Sequence, residues 1–454
     1  MHHPALKASA LACAVLFASQ TLQAELYRYD TGPYLNEFGG FPAWYQDTHG
    51  RALELCRSLA VSSRAGAGDP EASNMCALAS DPGLYDISQP LSFPDNFPHE
   101  MFWFTADAFI EDPASGVDLI WIAALEAAFA NEEPAEGDQV SFGRIRIRVD
   151  LPFPGVYTIT HPYGVDVFDV TEEDIGDDGR RAINMTRDIG IGAAGDFSGA
   201  MGSDVGPFLR SVNGPYQETN PDTGELESFI GDPNLEEAVT GSPFNTNYVR
   251  IEGPSGIDLR TELFVLTGKL STVELLTPVV AERATFSRQA GPNGVEQRSD
   301  VFALAPPPPA QVNFSAGGQA ATSMSEADAT GRWYGQSDAS LAPHTTIEIH
   351  ADNSLAIPTS TADSTSIGLV DQVIIQRAEY NLSNAQLTVE AYTSDETGGP
   401  QLTLRDGHGN LIGQLSGGGP IKSLNTSITP IPPASIRVES AHGGVDIEEV
   451  VLLP

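Results

Sequence analysis

Lysine is nearly absent from this 454-residue chain: only Lys7, Lys269 and Lys422 occur, and all basic residues together number 23 against 61 acids. The formal charge of −38 repels nucleic acid and anionic lipid, so recognition of either through a basic patch is excluded. Long apolar runs are missing too. The apolar stretch at residues 8–18 (ASALACAVLFA) falls well short of the ~20 residues that span a bilayer, and no later segment is longer, so no membrane insertion is expected. Cysteine is scarce, with three in all, and no C-x-x-C pair occurs, which removes the usual thiol redox and zinc-thiolate arrangements. There is no G-x-S-x-G nucleophile elbow: Gly253-Pro254-Ser255-Gly256 and Gly195-Asp196-Phe197-Ser198-Gly199 are spaced differently. No histidine has a second one four residues on, and His99-Glu100 lacks the partner a metalloprotease helix needs. Phosphate-cradling glycine loops, dinucleotide fingerprints and haem-attachment motifs are likewise absent.

What is present begins with an export signal. Lys7, the apolar run 8–18 and the small-residue site Leu22-Gln23-Ala24 read as a secretory signal cleaved before Glu25. A secreted or cell-surface protein is expected. Cleavage removes Cys13 and leaves Cys56 and Cys76 as an even pair in an oxidising compartment, where a disulfide is expected. It would close a floppy loop rich in Gly, Ala, Ser and Pro, a constraint of roughly 3 kcal/mol in the chain-entropy picture.

Most of the mature chain has the period of strands. Arg144-Ile145-Arg146-Ile147-Arg148-Val149 alternates, placing Ile145, Ile147 and Val149 on one face and three arginines on the other. Hairpins are expected around His161-Pro162-Tyr163-Gly164 and around Thr48-His49-Gly50. Glycine (44) and proline (33) punctuate the chain at the spacing of an all-β protein. One stretch is ambiguous: Ala123–Ala130 (AALEAAFA) has helix formers but continues from the strand-like LIWI at 119–122.

The C-terminal third repeats itself. Residues 279–287 (VVAERATFS) match 373–381 (VIIQRAEYN), Val301 and Ala303 match Val389 and Ala391, and Pro343 with TIEIHA matches Pro432 with SIRVESA. Two units of about 90 residues are expected at 273–365 and 368–454, joined by a small, polar linker at Thr359–Ser366. In this register Pro306–Pro309 is a loop inside the first unit rather than a linker.

Their size and alternating pattern make these units resemble bacterial immunoglobulin-like modules without the core disulfide. FPDNFPHEMFWF (93–104), RIRIRVDLPFPGVYTITHPYG (144–164) and TGSPFNTNYVRIEGP (240–254), followed by such modules, resemble exported proteobacterial proteins of unassigned function. That resemblance implies an all-β fold and supplies no catalytic residues. The expected architecture is a signal peptide at 1–24, a large N-terminal β-sandwich-type domain at 25–270 and two tandem Ig-like modules.

Few residues offer chemistry. Asp166, Asp169, Glu172, Glu173, Asp174, Asp177 and Asp178 lie close together with Gly176 and Gly179. Calcium takes six to eight oxygens, so this cluster is the candidate metal site, although its spacing is not that of an EF-hand and a solvated loop is the plainer role. Asn220–Glu225 and Asp406–Asn410 read as turns. His161, ahead of Pro162, is expected to cap its turn. Phe41, Trp44, Tyr45, Phe102, Trp103 and Phe104 would serve as a sugar platform only if exposed; core packing is the expected role. The expected function is non-enzymatic: surface, matrix or adhesive interaction with an extracellular polymer or surface protein. The alternative is an extracellular hydrolase or polysaccharide-binding enzyme with its site in the N-terminal domain and the modules as appendages.

Overall fold

The alternating arginine segment is one strand of a seven-stranded antiparallel sheet. This computed structural model describes residues 26–65, 74–78, 85–176, 179–316, 319–340, 344–397 and 399–454; the signal segment and Cys13 lie outside them. In that sheet Gln139–Asp150 sits between Val117–Phe129 and Ile183–Ile189, with Glu100–Asp112, Leu263–Thr267, Glu237–Thr240 and Arg210–Ser211 continuing the order. Ile145, Ile147 and Val149 are buried, and the three arginines take the opposite face. The helix-prone Ala123–Ala130 falls largely inside the strand Val117–Phe129. It pairs along its length with Glu100–Asp112 on one side and Gln139–Asp150 on the other. Two full ladders and a buried face outweigh a propensity worth only tenths of a kcal/mol per residue.

Two further sheets lie over its inner face. One is six-stranded, in the order Leu26–Tyr29, Trp44–Asp47, Ala52–Glu54, Lys269–Leu270, Leu226–Phe229, Tyr216–Thr219. The other is four-stranded: Asp258–Thr261, Val249–Glu252, Gly155–His161, Gly164–Val170. Tyr45, Leu53, Trp103, Trp121, Tyr157 and Ile251 meet in one core drawn from all three. The aromatic run 102–104 shows how. A bulge between Phe102 and Phe104 breaks the two-residue alternation, so the consecutive Trp103 and Phe104 are both fully buried. Trp103 packs edge-on against Tyr45, centroids 4.8 Å apart, and its indole N–H donates to the Pro42 carbonyl at 3.1 Å. Phe41 is buried as well, while Trp44 and Phe102 are half-buried; the aromatics are core rather than a sugar platform.

The two C-terminal units are Ig-like sandwiches of the same topology. Each opens with a strand (Val280–Gly291; Val373–Asn381) that pairs antiparallel with the next strand and parallel with the last of its unit. The matched sequences carry the same irregularity. The ladder shifts between Ala281 and Arg283 in the first unit and between Ile375 and Arg377 in the second, each just before a buried alanine, Ala284 or Ala378. Val301 and Ala303, like Val389 and Ala391, are fully buried. Pro306–Pro309 is a loop inside the first unit, where Ala305 and Pro306 carbonyls accept from the Trp333 indole.

The small polar segment Thr359–Ser366 is not a linker. Asp363–Gly368 pairs with Thr346–Asp352 over six residue pairs, and Ser360–Thr361 pairs with Leu275–Leu276. Backbone hydrogen bonds hold this edge, and a weakly apolar composition does not forbid them. The first unit therefore ends at Val370–Asp371, not at 365, and the second starts at Val373.

Both joints are held by buried polar contacts. The turn Thr48–Gly50 seats against the first unit: His49 Nε2 lies 3.2 Å from the Thr330 carbonyl, and Asn353 Nδ2 donates to the His49 carbonyl at 3.4 Å. Gly50 permits the approach. Its φ is +84°, and a Cβ there would lie 3.0 Å from Asn353 Nδ2. At the second joint Asp371 accepts from Ser440 Oγ at 2.6 Å and from the Gly444 amide at 3.0 Å, and Arg288 pairs with buried Asp395 at 3.3 Å.

Candidate functional site

Lys269 lines a cleft of about 770 Å³ between the N-terminal domain and the first Ig-like unit. Its backbone joins the edges of two hairpins, pairing with Glu54 on one side and Phe229 on the other. Its ammonium lies 2.9 Å from Glu54 Oε1 and 2.9 Å from Glu227 Oε1. Asn220 Nδ2 donates to the same Glu227 oxygen at 3.3 Å. Phe38, Leu91, Leu226 and Leu270 supply apolar wall, and Ala356, Ile357 and Pro358 of the first unit form the opposite rim. The compact ammonium is shared between the two carboxylates.

Glu227 and Lys269 hold each other ionised. Burial pushes Glu227 up, but the Ser58 hydroxyl and the Lys269 ammonium more than reverse it and leave its carboxyl below the usual range. Burial alone would lower Lys269; the two glutamates raise it instead. A general acid needs a pKa lifted toward the working pH, and Glu227 is moved the other way. Among the described residues no histidine or cysteine lines the cleft. The Ser299–His344 pair in the first unit, Oγ to Nε2 3.0 Å, has the contact of a nucleophile and its base, yet Ser299 is completely buried and no substrate reaches it.

The residues singled out in the sequence are placed as follows. Cys56 and Cys76 form a disulfide. In the acidic cluster, Asp177 and Asp178 lie outside the described residues, and the others diverge. Asp166 takes Arg187 Nη1 at 2.9 Å and His161 Nε2 at 3.1 Å. Asp174 closes a capping box with Thr171 on the short helix Glu172–Ile175, whose Glu172 and Glu173 are exposed; Asp169 lies on the strand Gly164–Val170. Among the described residues no group of three or more His, Cys, Asp or Glu is arranged to hold a metal ion. His161 caps its turn: its Nδ1 accepts from the Tyr163 amide at 3.2 Å, so Nε2 carries the proton shared with Asp166. Asn220–Glu225 and Asp406–Asn410 are hairpin turns closed by the Asn220–Glu225 and Asp406–Asn410 backbone bonds.

The His161–Asp166–Arg187 contact sets an acid limit. Burial pushes the Asp166 carboxyl up, but His161 and Arg187 outweigh it and hold it at about 2. The group's folded pKa is depressed, so its stabilisation is present above the unfolded value near ~4 and is lost as pH falls toward ~2. Buried His161 is lowered, chiefly by desolvation, and resists protonation in the same direction. Asp166→Asn is expected to lose about 2 kcal/mol at pH 6 and to converge on the wild type near pH 2, read from denaturant midpoints across that range; a gap independent of pH refutes the assignment.

Lys269, Glu54 and Glu227 carry no sequence motif. The rarity of lysine was the one available signal, and it identifies no partners.

Comparison with known proteins places the chain only broadly. No family model matches, and no curated protein matches. Among solved structures, one described as host cell surface retention of a 1.5-MDa bacterial ice-binding adhesin is 11% identical, covering 69% of this chain and 91% of that one, with a TM-score of 0.14. A Bacteroides ovatus glucan-utilisation protein, SGBP-B, in complex with a mixed-linkage heptasaccharide is 10% identical over 54% of this chain and 59% of that one, TM-score 0.17. Sidekick-1 immunoglobulin domains 1–4 are 8% identical over 77% and 94%, TM-score 0.18. With TM-scores this low, none of these likenesses bears on what the chain binds.

Proposed function

We propose that this chain is an exported, non-enzymatic binding protein that holds a segment of an extracellular glycan in the cleft between its N-terminal domain and first Ig-like unit. One observation carries the reading: the cleft is open and lined by apolar wall beside hydrogen-bonding groups, and its buried carboxylate Glu227 is held ionised by Lys269. Fixed donors and acceptors beside apolar surface suit hydroxyl-rich rings, whereas hydrolysis needs a carboxyl poised to give up a proton. The buried polar joint supports it, because a site shared by two domains works only if they keep their relative position. Among the described residues no helix is long and apolar enough to cross a membrane.

A glycan array probed with the mature protein tests this, followed by titration of any bound oligosaccharide. Ala356→Trp narrows the rim without touching an ion pair. It is expected to weaken binding at least about tenfold with an unchanged melting temperature. Retained affinity in that variant would move the site elsewhere, and release of shortened sugar on long incubation would make the protein an enzyme.

A further inference from the structure

A second cavity, of about 380 Å³, adjoins the cleft and shares Arg51, Pro215 and Leu270 with its wall. Two arginines, Arg51 and Arg210, are among the residues that line it. Several other arginines of this acid-rich chain take carboxylates, among them Arg64 with Glu218 and Asp232, Arg144 with Glu126 and Asp188, and Arg187 with Asp166 and Asp204. Arg51 and Arg210 form no ion pair among the described residues, and Arg210 Nη1 is buried with no partner. Asp47, the nearby acid, is fully buried and already committed. Its Oδ1 accepts from the Arg51 amide at 2.8 Å and its Oδ2 from the Phe208 amide at 2.9 Å. Burial, and then the repulsion of Arg51, pushes Arg210 down to about 10. Burial likewise lowers Arg51. The chamber thus holds two cations against one buried carboxyl, an imbalance a bound anion would correct.

We infer that this chamber receives the carboxylate of an acidic sugar that carries a single charge on an otherwise neutral glycan. The inference rests on the cleft reading and names the group the cleft would select. The charge of the whole chain decides between one carboxylate and many. A polyanion following the surface would meet a net charge of −38, felt over a Debye length of ~8 Å at physiological salt. A single carboxylate entering between Arg51 and Arg210 meets the local positive charge instead. The planar guanidinium fork matches a carboxylate in two-point contact, and the cavity admits a small group rather than a chain.

Titration of the full mature protein with sodium D-glucuronate, D-glucose and sodium acetate tests it. Glucuronate is expected to bind at least about tenfold more tightly than either glucose or acetate. Arg210→Met and Arg51→Met should each abolish that preference and leave glucose unchanged, and Arg210→Lys should keep part of it. The unliganded Arg210→Met protein should melt no lower than the wild type, because it loses an unpaired, partly buried cation; a lower melting temperature would assign the arginine to structure and overturn the proposal. Acetate binding as tightly as glucuronate would make the chamber a plain anion site and overturn the sugar class. If neutral oligosaccharides bind in an Ala356→Trp-sensitive way with no glucuronate preference, this inference fails alone. If no sugar binds at all, the cleft reading fails with it.

Discussion

Lys269→Ala is expected to destabilise the N-terminal domain by about 3–5 kcal/mol, the cost of breaking a buried ion pair from one side. Its side chain is only 17% exposed and Glu227 9%, so water replaces the lost ammonium poorly. Two carboxylates that had shared a cation then face each other, and one of them must take up a proton to relieve the repulsion. The pH dependence follows with a definite sign. In the wild type, Glu227 sits below its ordinary value, so its contribution is present at neutral pH and is lost on acidification. In the variant a carboxyl is raised, and stability should increase as pH falls from 8 toward 5. Calorimetry should show the N-terminal transition roughly 10 °C lower at pH 7, with the gap narrowing at pH 5. Lys269→Ala combined with Glu227→Gln should recover much of the loss. A gap that is constant with pH, or a double variant no better than the single one, would show that Lys269 acts through packing alone.

Removing the Cys56–Cys76 bridge should lower the same transition by about 3 kcal/mol, or roughly 6–12 °C, and leave the two Ig-like units unaffected. The cost does not end with chain entropy. Cys56, Ala60, Met75 and Cys76 pack on Phe229, which lies beside Lys269 in the six-stranded sheet. The looped segment also sends Arg64 to Glu218 at 2.8 Å and Asp232 at 2.8 Å, and stacks it on the Tyr216 ring at 4.1 Å. Loosening that segment loosens one wall of the cleft, so glycan affinity should fall together with stability. Calorimetry of the Cys56→Ser/Cys76→Ser protein, and of the wild type with and without reductant, reads both. An unchanged N-terminal transition would refute the assigned role of the bridge.

Legibility in the sequence tracked how local each determinant is. Ile145, Ile147 and Val149 could be placed on a buried face because strand period is a property of neighbours in sequence. The hairpins at His161–Gly164 and Thr48–Gly50 followed from turn chemistry for the same reason, and the repeat from comparing the chain with itself. Val117–Phe129 was ambiguous because its state depends on two partner strands. Thr359–Ser366 looked like a linker because edge pairing uses backbone groups, which composition does not record. The acidic cluster seemed a common site until Asp166 turned toward Arg187 and Asp174 toward Thr171, leaving carboxylates that neighbour one another in sequence with separate partners in space.

By itself the sequence determined that the chain is all-β, that its last part is duplicated and that its surface repels polyanions, because period, self-similarity and charge are summed along the chain. It also left two lysines beyond the expected export signal. Only the tertiary structure decided what one of them is for. Glu54, Glu227 and Lys269 come from three separate strands, and Arg51 and Arg210 meet across 158 residues of intervening chain. Their chemistry depends on distances of a few ångströms and on the water that burial removes, and both arise only when the sheets close.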